Sequence, residues 1–237
     1  MPPNWDSLGM EFTALLQLDR PPVAITFVDK VPEGVERFTG SSPAGCSFWR
    51  LAADGRVFYT VPSDHYNCAI GSHTHKFPLP ADMAKAAEQT FAMLFQLEYV
   101  RPEEIPQIPQ LRTTPAAVVY APLRLTPVAP SVVLFQCPAA SAMLLHEAAT
   151  HAGSGGMLPI LGRPTCMALP AALEKGTVVS LGCTGNRIYT GLPDADLYFA
   201  VPGADLERVA RSLVVVSTAN AELARYARGR LVQLSAN

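Results

Sequence analysis

This chain has no CxxC pair, no basic stripe and no apolar run approaching a membrane span. Charged residues supply only 16% of it, and the formal net charge is −2. A nucleic acid or an anionic membrane draws its partners in with positive charge, so neither is expected as a partner. The longest apolar runs, such as that around Ser212–Val216, fall far short of the roughly 20 residues that cross a bilayer. The opening MPPNWDSLGMEF lacks the basic and apolar regions of a secretory signal, which predicts a soluble, cytoplasmic protein. In that compartment thiols stay reduced, and the odd count of five cysteines fits poorly with a closed disulfide framework. Haem is not supported either, for want of a C-x-x-C-H motif. The glycines of Gly153–Gly156 lack the Lys-Ser/Thr of a phosphate loop, and Ser154 sits in no Gly-x-Ser-x-Gly elbow.

What is present is apolar residue in quantity, 49% of 237 residues, enough for one sizeable core. Trp5, Leu8, Phe12, Leu15 and Leu16 recur at helical spacing over Trp5–Leu18, and Pro21-Pro22 stops that helix. Strands are predicted at Val23–Val28, Arg56–Val61, Ala116–Ala121, Val132–Gln136, Thr177–Leu181 and Leu197–Val201. Helices are predicted at Cys46–Ala53, Ala81–Leu97, from Cys137-Pro138 to about Ala152, at Arg163–Leu173 and over Ala204–Leu231. Pro62–Gly71 reads as a loop, and the four prolines of Pro102–Pro115 mark an extended connector. Strands separated by helices indicate an α/β or α+β fold, a mixed β-sheet flanked by helices. The chain reads as a single compact domain over 1–237, with a candidate lobe boundary near 100–115.

The chemistry concentrates in Ala44–Phe77, which holds Cys46 and Cys68 together with His65, His73 and His75. Cys183 leaves a strand in the turn Gly182-Cys183-Thr184-Gly185-Asn186-Arg187, where backbone N–H groups can face a sulfur. Cys46 and Cys166 stand at helix entrances, where the helix dipole favours a thiolate. Cys137 ends a buried strand and reads as a small core residue. His73 and His75, two apart, would share a face on an extended segment and suit one Zn or Cu ion with a nearby Cys. His65, beside Asp64, is a candidate base. Arg50 and Arg187, each four residues past a cysteine, are candidates for binding an anion. His146 is expected in the core; it and His151, five apart, do not share a helix face.

LDRPPVAITF, FYTVPSDHYNCAIG, VVLFQCPAASAMLL, GRPTCMALP and SLGCTGNRIYTGLPDADLYFAVPG together resemble the domain-of-unknown-function family numbered 169 over nearly the whole chain. The resemblance implies cysteines shared at Cys46, Cys68, Cys166 and Cys183, but not at Cys137. It brings no activity with it, and the His-Thr-His after the HYNC loop departs from the family pattern. With the resemblance, four thiolates from four segments suggest an iron–sulfur cluster, [4Fe–4S] rather than zinc. Its roles would be electron transfer, Lewis-acid chemistry or metal handling, served by a redox partner or a small-molecule substrate. Two alternatives stand beside it: a thiol enzyme with Cys183 or Cys68 as nucleophile and His65 as base, and a non-catalytic Zn or Cu protein.

Overall fold

The computed structural model of the chain describes residues 3–154 and 158–235. Helix α1 (Trp5–Leu16) starts at Asn4, whose side chain accepts the Ser7 N–H, and ends at Gln17 with φ 50°. It is followed by β1 (Val23–Val28), α2 (Ser47–Ala53), β2 (Phe58–Thr60), α3 (Ala69–Thr74), α4 (Ala81–Gln96), β3 (Ala117–Pro122) and β4 (Val132–Pro138). The remaining elements are α5 (Ala139–His151), β5 (Ile160–Leu161), α6 (Ala168–Lys175), β6 (Val178–Ser180), α7 (Thr184–Thr190), β7 (Asp196–Pro202) and α8 (Leu206–Ser235).

The strands form one sheet in the order β2-β3-β1-β4-β7-β6-β5. Only the β5–β6 pair is parallel, so the sheet is mixed, as expected. Successive side chains on a strand point to opposite faces, and here both faces are covered. Val23, Ile25, Val118, Tyr120, Val132, Leu134 and Ala200 face one core with α2 and α6. Ala24, Val133, Phe135, Cys137, Phe199 and Val201 face the other, with α1, α5 and α8. The strands therefore read as continuous apolar runs, which made them legible without any alternation.

Three differences from the sequence reading matter for the site. Pro62–Gly71 is not a loop: Pro62–His65 is a 3₁₀ turn and α3 begins at Ala69. Six residues are too few to show a helical period, so α3 left no signal. Arg163–Leu173 divides into a 3₁₀ turn, Thr165–Met167, and α6. Pro170 is tolerated because it lies in the first turn, where its missing N–H has no partner to lose. Strand β5 was missed because two residues carry no period. The helix stop at Gly153–Gly156 falls partly outside the described residues, at Gly155 and Gly156; Gly153 follows Ala152, the C-cap of α5, with φ 67°.

Candidate functional site: a buried cysteine cluster

Four cysteines lie on the α2/α6 side of the sheet. Cys46 precedes α2, Cys68 caps α3, Cys166 is in the turn before α6, and Cys183 caps α7. Helix α2 packs on α7, and α3 packs on the Cys166 turn, which brings the four segments together. Each of Cys46, Cys68 and Cys166 is close enough to feel the charge of neighbouring sulfurs. Cys68 and Cys183 are half-buried and the other two are buried. Cys137 is separated from them by the sheet, because its strand parity turns it into the opposite core.

Desolvation dominates the electrostatics. Burial pushes the Cys46 thiol up to about 12, against the pull of the Asn186 side chain beside it. Burial raises Cys166 well above the usual thiol range, with the charges of Cys68, Cys46 and Cys183 adding and the Thr74 hydroxyl opposing. Burial also raises Cys68, opposed by the backbone amides of Gly45, Gly71 and Ile70. The Gly71 N–H donates to its sulfur at 3.3 Å. These thiols are therefore held protonated, with sulfur-directed donors around Cys68 ready to receive charge.

The four-thiolate metal centre expected from the sequence is not formed. Among the described residues no group of three or more His, Cys, Asp or Glu is arranged to hold a metal ion. The Cys68 sulfur accepts the Gly71 N–H, and the Asn186 side chain lies near Cys46 and the Thr74 hydroxyl near Cys166. The described residues therefore do not support a metal-binding function on these four cysteines.

The histidines are placed differently as well. His73 lies in α3 and His75 is its C-cap, so a two-residue spacing directs them apart instead of onto one face. His73 Nδ1 accepts from Gln110 at 3.0 Å, and burial lowers its pKa. His75 Nδ1 donates to the Gly71 carbonyl at 2.8 Å, and its ring stacks on Phe77. The Zn or Cu site expected at this pair is therefore absent. His65 is 1% exposed, with Nε2 2.8 Å from the Thr60 hydroxyl and its ring 5.1 Å from that of His75. Burial, then the neighbouring His75, holds its pKa well below the ordinary value. Asp64 does not orient it, being occupied by Arg37 and the Val61 N–H. His65 is thus a neutral ring packed against Phe48 and Phe77.

Both arginines are structural. Arg187 donates to the carbonyls of Leu181, Pro193 and Asp196, which pins the turn around Cys183. Arg50 holds Asp54 and the Thr190 carbonyl, tying α2 to the end of α7. His146 is half-buried in α5, and His151 is paired with Ser212 across to α8.

Sequence reasoning missed the residues that position the sulfurs. Thr165 accepts the Cys183 N–H through its hydroxyl at 2.6 Å, which joins the Cys166 turn to α7. Gly71 is the second: a Cβ there would stand 3.0 Å from Cys68 Sγ and 3.9 Å from the Gly45 nitrogen. The spacing Cys68-x-x-Gly71 is that of an N-cap, with sulfur in place of oxygen, and it was the available signal. Gly71→Ala is expected to cost about 1 kcal/mol, crowding outweighing the better helix propensity of alanine. It should also slow alkylation of Cys68 in the native protein, because the added methyl stands against its sulfur, and mass-resolved pulse labelling with iodoacetamide measures this. An unchanged Cys68 rate would show that the methyl and the sulfur move apart.

Fold and site together define an α+β protein with a mixed sheet and a buried cysteine cluster on one face. The chain belongs to the DUF169 family, described as an uncharacterised ArCR, whose model matches residues 11–212. It is also similar to an uncharacterised protein of Methanocaldococcus jannaschii, 24% identical over 208 residues, covering 84% of this chain and 89% of that protein. No solved structure matches it. Among the described residues no helix is long and apolar enough to cross a membrane.

Proposed function

We propose that the cysteine cluster works by reversible dithiol–disulfide exchange, with Cys68 and Cys183 as the reacting pair. One observation carries this reading: α2 packs on α7 and α3 on the Cys166 turn, which gathers four cysteine segments, and these two cysteines are half-buried while Cys46 and Cys166 are buried.

The step balances as an exchange. The Cys183 thiol loses its proton and attacks an incoming disulfide, whose S–S bond breaks and whose leaving sulfur takes up a proton. The Cys68 thiol then loses its proton and attacks the mixed disulfide, releasing the partner's second thiol. The chain loses two electrons and two protons, and the incoming disulfide gains both. The amides of Gly45, Ile70 and Gly71 support the charge that Cys68 must carry in the second step. Once the disulfide has formed, neither of these sulfurs can carry the charge that disfavours ionisation of its neighbours.

The test is oxidation of the native protein with a small dithiol's disulfide, followed by peptide mapping. A Cys68–Cys183 disulfide that dithiothreitol reverses is the expected product. Cys68→Ser or Cys183→Ser should abolish it, and Cys137→Ser should leave it intact. Five free thiols after oxidation, or a disulfide formed only in denatured protein, would overturn the reading.

A further inference from the structure

Helix α8 is 30 residues long, but its buried residues end at Val216. Half-buried Asn220 still donates to Glu147 of α5; past it the helix runs as an arm, and Leu223, Leu231 and Leu234 on it are 63%, 65% and 63% exposed. With Ala227 these fall at successive steps of four, four and three, a single apolar stripe. The family match ends at residue 212, so the arm lies outside the matched residues. Globular packing does not explain the stripe, since a helix polar or apolar without a partner gains nothing from ordering this face.

A second helix is equally short of cover. Along its 16 residues α4 buries only Ala87. Its exposed side carries Ala86, Thr90, Met93 and Leu97 at steps of four, three and four, with Met93 49% and Leu97 67% exposed. The two stripes match in length, each running eleven residues along its helix, about 16 Å. Their charges are complementary. Asp82, four residues before Ala86, flanks the α4 stripe, whereas Arg230, four residues before Leu234, flanks the arm stripe. Two arms laid on each other would bring their arginines together; an arm laid on α4 brings opposite charges together.

We infer that the α8 arm of one molecule docks on the α4 stripe of a second copy, and that the reciprocal contact closes a two-fold dimer. Such an isologous exchange covers both stripes at once. It stands independently of the thiol chemistry, because none of the cysteines lies on either stripe.

Light scattering coupled to size exclusion tests it on the full chain at about 100 µM, well above the Kd of a micromolar dimer. Twice the chain mass of 25.4 kDa is expected. The pairs Leu223→Glu/Leu231→Glu and Met93→Glu/Leu97→Glu change only exposed positions, so each should run as a folded monomer, with circular dichroism unchanged. The dimer should also weaken as salt rises from 0.1 to 1 M, where screening shortens to about 3 Å. A monomeric full chain overturns the inference, as does a dimer that survives either pair. Loss of the dimer in the arm variant alone would mean that arm pairs with arm, which also overturns it.

Discussion

Acidification from pH 7 to pH 4 is expected to remove about 3 kcal/mol of folding free energy through His75 alone, at about 1.4 kcal/mol per pKa unit. The ring is 2% exposed, and burial lowers its pKa from 6.5 to about 4, with the Gly71 carbonyl opposing. The sign follows from which state takes up the proton. The unfolded chain protonates this histidine below about 6.5, while the folded chain keeps it neutral until about 4. Stability is therefore intact above pH 6.5, declines as pH falls through that window, and levels off below it. His65 shifts in the same direction and steepens the decline. Asp54 acts elsewhere: burial would raise its carboxyl, but Arg50 and Arg20 outweigh burial and lower it, so its contribution is lost only in stronger acid. Urea unfolding at pH 7, 5.5 and 4.5 measures the effect, and His75→Phe should flatten the slope by about 1.4 kcal/mol per pH unit. A free energy of unfolding that is level from pH 6.5 to 4.5 would mean that the rings meet water or a counter-charge in the folded protein.

Gly203→Ala is the second large effect, and its cause is space. A Cβ at Gly203 would stand 1.7 Å from the Pro130 carbonyl oxygen and 2.7 Å from its carbon. The obstacle is backbone, held in place where Gly203 N–H donates to the Ser131 carbonyl at 2.9 Å and β4 pairs with β7 from Val132↔Pro202 onward. No rotamer can relieve the contact, so the chain must part where two central strands begin to pair. A loss of about 4 kcal/mol or more is expected, or roughly 10 °C in Tm for a domain of this size. Gly229→Ala in the α8 arm is the control, with nothing within 4 Å of the added methyl. It should be neutral or stabilising by up to about 1 kcal/mol. Equal melting temperatures for the two variants would show that the Pro130 segment yields freely.

The sequence by itself determined the elements with strong local signals. Val23–Val28 stands where its β-branched run and flanking prolines placed it, and Ala81–Gln96 forms the helix its composition predicts. It also placed Cys137 in the core, since a cysteine closing an apolar strand is buried whichever face it takes. Short elements escaped it: α3 has six residues and β5 two, too few for a period to register. That miss misplaced His73 and His75, because the same two-residue spacing converges on a strand and diverges on a helix.

Only the tertiary structure decided how the cysteines relate to one another. Sequence named the four and excluded the fifth; packing of α2 on α7 and of α3 on the Cys166 turn brought them into one region. Packing also set the Cys68 sulfur against the Gly71 amide, and among the described residues it formed no group of three or more ligands arranged for a metal ion. The physical reason is that helix propensity and apolar runs are read from neighbours in the chain. The direction of a Cα–Sγ vector depends on contacts made across more than a hundred residues, and those contacts decide between a metal centre and a set of free thiols.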